Sequence, residues 1–235
     1  FAVERAIGAS VADLKEFYQL GRDHGPSAYG PNVWPEEVWA FRESFAELFD
    51  RLETLAARIV TACSLYLDRP ADFLPSRIAG GESVLRVIQY PPLPADVPPG
   101  AIRAAAHEDI NFLTLLCGAT ADGLEIRTRD GRWHPVSARH TQIVVDSGDM
   151  LQNLTGGLFR STTHRVVNPS GPNESRLSMP FFVHPRAEVD LSPLPDLAAR
   201  AKTGRAFPSL TAGEFLRERL AAIRPAERRE TADAP

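Results

Sequence analysis

The chain has 235 residues, 43% of them hydrophobic, which is enough to bury a sizeable core as one domain. A formal net charge of −4 and the lack of a long basic run argue against a nucleic-acid or membrane-surface partner. No segment reaches the length of a membrane span, and no signal peptide is visible. Cys63 and Cys117 lie in a helix-like and an apolar strand-like context, so we expect reduced thiols and a cytoplasmic protein.

The first 83 residues are predicted to be mainly helical. Ser10 has the character of a helix cap with an acidic residue in the turn that follows it, so a helix is expected from Ser10 through Tyr18. Pro35, at a first helical position, predicts the start of a second, long helix. Apolar residues then recur every three or four positions, as a single buried stripe requires. They are Val38, Phe41, Phe45, Leu48, Leu52, Leu55, Ile59 and Cys63.

Residues 84–185 contain eight short strand candidates with turn residues between them. The candidates are residues 84–90, 102–110, 113–116, 124–128, 132–136, 141–145, 164–167 and 176–183. Asp130-Gly131 predicts a tight hairpin between the fourth and fifth, and residues 168–173 predict a loop before the last. This pattern favours a double-sheet jelly roll, that is, a mainly β fold with flanking α-helices.

A helical C-terminal segment, residues 186–223, and a tail, residues 224–235, follow the strands. Thr211 and Glu214 form a Thr-x-x-Glu capping box ahead of a helix that continues to about Ile223. The tail is polar and is predicted to be disordered. No repeat or linker divides the chain, so a single domain over residues 1–235 is predicted.

His107 and Asp109 are the first candidate site residues. If residues 102–110 form a strand, the two side chains project from the same face. A second histidine from a neighbouring strand, for which His164 is the candidate, would complete a set of three metal ligands with two nitrogens and one carboxylate. Such a set leaves the opposite metal positions open, which is typical of non-haem Fe(II) oxygenases. The motif alone is weak, since His107 could be an ordinary histidine and Asp109 a turn or cap residue.

Arg176 and Ser178 are the second candidate pair. They lie two apart in an apolar run, so on a strand they would share a face and could grip a carboxylate together. A buried guanidinium needs an anion, which a ligand could supply, although Arg176 could also form a surface ion pair. Arg42 and Ser44 have the same spacing, but they lie in a helical stretch where residues two apart do not face each other.

The order and context of these residues resemble the isopenicillin N synthase-like, 2-oxoglutarate- and Fe(II)-dependent oxygenases. The resemblance runs from about residue 85 to residue 185. It is carried by LRVIQYPP, AHEDINFLTLL, GLEIRTRDGRWHPV, VVDSGDMLQNLTGGLFRSTTHRVVNP and RLSMPFFVHP. The stretch from Asp13 to Phe17 resembles the family's substrate-side helix, and the family usually has a strand before the point where this chain opens, at Phe1.

The resemblance implies a double-stranded β-helix with Fe(II) held by His107, Asp109 and His164. His134 and His140 are rival ligands, but neither matches a role in the family, so both are expected to be structural or exposed.

By the same resemblance, 2-oxoglutarate chelates the iron and its far carboxylate meets Arg176, Ser178 and Tyr90, while O2 takes the last metal position. Many plant members have Arg-x-Asn-Tyr-Tyr-Pro where this chain has Ile88 in place of the asparagine, so the match at Tyr90 is incomplete.

The implied reaction oxidises a small-molecule substrate, with hydroxylation as the default outcome and release of succinate and CO2. An oxidase or cyclase that keeps the iron without 2-oxoglutarate, of the isopenicillin N synthase or ACC oxidase type, is the alternative. A third possibility is a barrel that binds a ligand without catalysis. Phe182 shares strand parity with Arg176 and is predicted to wall the substrate cavity, with ordinary core packing as its alternative.

Overall fold

The computed structural model describes residues 11–23, 30–137 and 141–223. Nine strands and five helices lie in these ranges, with the longest helix between the first two strands. In chain order they are β1 Glu16–Leu20, α1 Phe41–Tyr66, α2 Pro75–Ile78, β2 Val84–Tyr90, β3 Ala104–His107, β4 Leu113–Cys117, β5 Leu124–Arg127, β6 Trp133–Pro135, β7 Ile143–Ser147, α3 Asp149–Leu154, β8 His164–Val166, β9 Arg176–Val183, α4 Pro195–Ala201 and α5 Ala212–Ile223.

The strands form two antiparallel sheets, so the predicted mainly β class is confirmed. One sheet has five strands in the order β1-β2-β9-β4-β7, and the other has four in the order β3-β8-β5-β6. Gly131, in the turn between β5 and β6, has a φ of 82°, which suits the predicted hairpin. Strands β2 and β9 have the predicted bounds, whereas β7 begins two residues later than expected, at Ile143.

The predicted N-terminal helix through Tyr18 is wrong where the structure describes it. Glu16–Leu20 is instead strand β1, antiparallel to β2, with Phe17 opposite Ile88. Tyr18 and Leu20 face inward while Glu16, Phe17 and Gln19 are exposed, which fits a strand at a sheet edge, and pairing with β2 satisfies the backbone groups on one side of it. Ser10, the predicted cap, lies outside the described residues.

Helix α1 begins at Phe41, not near Pro35 as predicted. Ala40 has a φ of 57°, a left-handed conformation that cannot continue a helix backwards, and Val38 is 52% exposed. The fully buried face of α1 is rotated from the predicted stripe. It consists of Phe49, Leu52, Ala56, Val60 and Ser64, so Leu52 alone of the predicted residues is fully buried, while Phe45, Leu48, Leu55, Ile59 and Cys63 are partly buried against the core. This face packs on the outer face of the five-stranded sheet. There the Phe49 and Phe181 rings meet edge to face, with centroids 5.0 Å apart.

The short helices α2, α3 and α4 were not predicted because four to seven residues are too few to display a helical period. The capping box before α5 is confirmed: the Thr211 amide donates to Glu214 Oε2 over 2.8 Å, and the Glu214 amide donates to Thr211 Oγ1 over 3.3 Å. The predicted disordered tail lies outside the described residues.

A second, smaller core lies between the two sheets. It consists of Ile88, Tyr90, Ala104, Leu124 and Val166, with Leu116 and Val136 packed against it. Among the residues that the structure describes, no helix combines the length and apolarity needed to cross a bilayer. Because the smaller core joins the inner faces of the two sheets, a ligand bound inside the protein would lie between these faces.

Candidate metal and cosubstrate site

The structure brings His107, Asp109 and His164 together. His107 ends β3 and His164 begins β8, and the two residues lie directly opposite each other in the antiparallel pair. Their Nε2 atoms each lie 3.8 Å from Asp109 Oδ1. One ligand atom from each residue falls within 4.8 Å of the others, so the three side chains could hold one metal ion.

Asp109 reaches this cluster from a loop and not from a strand, which corrects the prediction that residues 102–110 form one strand. Strand β3 ends at His107, and the next residues are held by the N-terminus of α3. The Asp149 amide donates to the Asp109 carbonyl over 2.7 Å, and the Met150 amide donates to the Ile110 carbonyl over 3.0 Å. The hydroxyl of Thr114 donates to Asp109 Oδ2 and fixes the carboxylate.

Backbone carbonyls orient both imidazoles. His107 Nδ1 lies 2.7 Å from the Ala105 carbonyl, and His164 Nδ1 lies 2.9 Å from the Thr162 carbonyl. A carbonyl only accepts, so each neutral ring carries its proton on Nδ1 and turns the Nε2 lone pair toward Asp109. Two such nitrogens and one carboxylate fit a divalent iron ion with open positions.

Charge and burial prepare His107 and Asp109 for a cation. Burial, assisted by the charge on His164, lowers the pKa of His107 to about 4, which keeps this imidazole neutral. Burial opposes ionisation of Asp109, but the charges of His164 and His107 and the Thr114 hydroxyl outweigh it and lower the pKa of Asp109. Asp109 is therefore an anion at neutral pH, as a metal ligand must be.

Arg176 and Ser178 begin β9 and are both buried, with 1% and 3% of their surface exposed. Tyr90, at the end of β2, pairs with Arg176 of β9. The Arg176 guanidinium carbon lies 5.1 Å from the centroid of the Tyr90 ring. Arg176 Nε donates to the Ala121 carbonyl over 3.0 Å, whereas its Nη1 has no hydrogen-bond partner in the described part of the chain. A buried guanidinium with a spare donor fits a ligand carboxylate.

Phe182 lies on the face of β9 that carries Arg176 and Ser178. It pairs with Thr114 of β4, the residue whose hydroxyl reaches Asp109. Phe181 takes the opposite face and is fully buried against α1. The alternation of β9 thus places Phe182 on the inner face of the five-stranded sheet.

His134, one of the two rival histidines, does not join the cluster. His134 is exposed on β6 and pairs with Ile126, which in turn pairs with His164, so His134 is two strands from the metal-binding group. His140 lies outside the described residues.

Two residues that sequence reasoning missed lie beside the cluster. Thr114 of β4 contacts Asp109. Asp146 of β7 pairs with Thr114, and its Oδ2 lies 3.7 Å from His164 Nδ1. Burial, followed by the nearby Asp109 charge, raises the pKa of Asp146 to about 7. No sequence motif marks either residue, because their proximity to Asp109 and His164 comes from strand pairing.

Comparison with known proteins supplies the family. The model of the 2OG-Fe(II) oxygenase superfamily matches residues 81–185. The proline hydroxylase buaE of Petromyces alliaceus is 30% identical over 225 residues, which cover 92% of this chain and 70% of that protein. The chain belongs to the 2OG-Fe(II) oxygenase superfamily.

Other superfamily members extend the comparison. The flavonol synthase/flavanone 3-hydroxylase of Petunia hybrida is 30% identical over 178 residues, covering 75% of this chain and 50% of that protein. A full-length Neurospora crassa protein solved in complex with alpha-KG has a TM-score of 0.80 at 28% identity, covering 90% of this chain and 67% of that structure. A putative 2OG-Fe(II) oxygenase family protein from Caulobacter crescentus has a TM-score of 0.81 at 39% identity, covering 94% of this chain and 73% of that structure.

These similarities confirm the predicted family, the double-stranded β-helix fold and the class of enzyme, an oxygenase whose cofactor and cosubstrates are Fe(II), 2-oxoglutarate and O2. The chain spans between 50% and 70% of the length of the two curated relatives named above.

Proposed function

We propose that this chain is a dioxygenase that binds Fe(II) through His107, Asp109 and His164 and hydroxylates a small-molecule substrate. The observation that carries the proposal is the convergence of two Nε2 atoms and one carboxylate oxygen on a single point. The neutral state of His107 and the ionised state of Asp109 support it, since both are the forms that bind a metal.

We further propose that Arg176, Ser178 and Tyr90 hold the far carboxylate of 2-oxoglutarate. The spare Nη1 of buried Arg176 supports this role, because an unpaired buried donor is costly until a ligand satisfies it. Iron and 2-oxoglutarate, when bound, would supply the oxidising chemistry that inserts one oxygen atom of O2 into a C–H bond and releases succinate and CO2. The protein's own contribution is to fix the ligands, anchor the carboxylate and exclude water.

The ligands and names of relatives support a small molecule as the substrate of this chain. The Neurospora crassa protein has been solved with alpha-KG and thymine and with alpha-KG and 5-formyluracil, and the Petromyces alliaceus relative is named a proline hydroxylase. All of these ligands are small molecules. A small molecule is therefore the proposed substrate class for this chain.

The test compares three single variants with the unaltered protein. Asp109→Ala removes the anionic ligand, so anaerobic calorimetry with Mn(II) should show loss of the single metal site, and Fe(II)-dependent formation of succinate should cease while the fold is retained. Arg176→Lys keeps the charge but loses the two-pronged geometry, so the KM for 2-oxoglutarate should rise by about 10-fold or more. Arg58→Lys, on the exposed side of α1, is the matched control and should change neither quantity.

Assays with and without 2-oxoglutarate separate this reaction from that of an oxidase that uses iron alone. Substrate oxidation that proceeds unchanged without 2-oxoglutarate would overturn the cosubstrate assignment. Full metal binding in Asp109→Ala, or a metal held by His134, would overturn the ligand assignment.

A further inference from the structure

A second buried arginine, Arg103, lies next to the proposed carboxylate site. It directly precedes β3 and, like Arg176, is only 1% exposed. Its backbone amide donates to Asn168 Oδ1 over 3.1 Å, and its Nη2 donates to the carbonyl of Glu174 just before β9. Its Nε is buried without a hydrogen-bond partner among the described residues.

The charge of Arg103 acts on Arg176, and Tyr90 acts on both guanidinium groups. After burial and the effect of Tyr90, the charge of Arg103 contributes to lowering the pKa of Arg176. The pKa of Arg103 is lowered by burial and partly restored by Tyr90. Tyr90 is only 3% exposed and pairs with Arg176, while Arg103 donates to the Glu174 carbonyl two residues before Arg176, so all three buried side chains lie near the start of β9.

This arrangement is unfavourable for the protein without a ligand. The hydrogen-bond partners of both guanidinium groups in the described ranges are neutral: backbone carbonyls for both, and the Tyr90 hydroxyl in addition for Arg176. Two buried guanidinium groups thus lie near the start of β9, each with a nitrogen that has no hydrogen-bond partner among the described residues. The negative charge of Asp122 acts on Arg176, but it is the smallest of the effects on the pKa of Arg176. Burying an incompletely compensated charge destabilises a fold, and an anion shared by the two groups removes that cost.

We propose that Arg103 is a second cationic contact for the far carboxylate of 2-oxoglutarate and determines specificity for keto acids that carry it. This inference rests on the proposed function, because it places that same cosubstrate between Arg103 and Arg176. A keto acid without the far carboxylate would leave both charges unmatched and would bind more weakly.

The experiment compares two ligands that differ only at the far end. 2-Oxoglutarate and 2-oxovalerate have the same five-carbon keto acid skeleton, but the second ends in a methyl group. Their dissociation constants are measured by anaerobic calorimetry on the Mn(II)-loaded protein, which does not turn over. In Arg103→Met, 2-oxoglutarate should bind about 10-fold or more weakly, while the affinity for 2-oxovalerate stays the same or improves.

Two further variants separate a contact from a structural role. Arg103→Lys keeps the charge without the planar fork and should lose less affinity for 2-oxoglutarate than Arg103→Met does. Arg58→Met makes the same change on the exposed side of α1 and should bind both ligands as the unaltered protein does. If Arg103→Met does not fold, Arg103→Lys still gives the ratio of the two affinities.

Equal weakening of both ligands in the Arg103 variants, or an unchanged ratio, would show that Arg103 only ties the chain before β3 to Glu174. Failure of the unaltered protein to bind 2-oxoglutarate at all would instead refute the proposed function. The two failures are therefore distinguishable.

Discussion

His184, which directly follows β9, carries one of the largest pKa shifts outside the three proposed ligands. Its Nδ1 lies 3.2 Å from the Phe182 carbonyl, and burial lowers the pKa of the imidazole to about 4. In the unfolded chain the same group has its ordinary pKa of 6.5. The folded protein therefore holds His184 neutral over a range of pH in which the unfolded chain binds a proton.

The sign of the resulting pH dependence follows from this difference. Below pH 6.5 the unfolded state gains a proton that the native state does not gain until about pH 4, so this group destabilises the fold progressively as the pH falls through that window. His184→Gln should flatten the dependence, and the stability difference between the two proteins should change by about 3 kcal/mol between pH 7 and pH 4. Urea unfolding of the metal-free proteins measures it, and parallel curves would contradict the assignment.

Single residues were predictable where their chemistry lies in a short motif. His107, Asp109, Arg176 and Ser178 stand two apart in pairs, and that spacing is visible in the sequence. Arg103 was not predictable because its charged neighbour lies on another strand, and only the arrangement of Arg103 beside Glu174 and Tyr90 brings the two guanidinium groups together.

At the scale of elements, the loop that carries Asp109 depends on Gly148. Gly148 caps α3, and a Cβ atom there would lie 2.3 Å from the Asn111 carbonyl oxygen and 2.8 Å from that of Asp109. Because both are backbone atoms, the contact cannot be relieved by turning a side chain. The close approach lets the amides of α3 bind the carbonyls of residues 109–111.

Gly148→Ala should therefore move the Asp109 loop. We expect the free energy of unfolding to fall by about 1–3 kcal/mol, as for other overpacked sites, and the metal to bind about 10- to 100-fold more weakly. Gly118→Ala is the matched control, since a Cβ atom there meets nothing within 4 Å. Chemical denaturation and Mn(II) calorimetry give the two quantities, and normal metal affinity in Gly148→Ala would show that the loop tolerates the shift.

Helix α3 also explains why the strand prediction around Asp109 failed. The same-face argument for His107 and Asp109 assumed a strand through residue 110. The local sequence does not show that the backbone amides of α3, about 40 residues further on, bind the carbonyls that follow β3. Likewise, the stretch before Leu20 was predicted as a helix because local cap signals were visible and its pairing with β2 was not. Long periodic elements such as α1 and β9 were predictable because their own residues repeat.

At the scale of the whole molecule, β9 separates the main core from the space between the sheets. Phe181 is fully buried and packs against Phe49 of α1, whereas its neighbour Phe182 is only partly buried and pairs with Thr114. The Arg86 guanidinium carbon lies 5.4 Å from the Phe182 ring and 4.2 Å from the ring of Phe17 on β1. One face of β9 thus packs in the main core, and the other faces the space between the sheets where the proposed site lies.

Adjacent phenylalanines of identical size allow these two roles to be separated by the same substitution. Phe181→Ala should lower the free energy of unfolding by about 3–5 kcal/mol, because it opens a cavity under α1, and the ratio of oxidised substrate to succinate should stay as in the unaltered protein. Phe182→Ala should cost less stability, but succinate should form without matching oxidation of a substrate recovered from a small-molecule screen, since water then reaches the reaction site. Denaturation together with paired assays of succinate and product tests both. Retained coupling in Phe182→Ala, with a stability loss like that of Phe181→Ala, would assign Phe182 to the core.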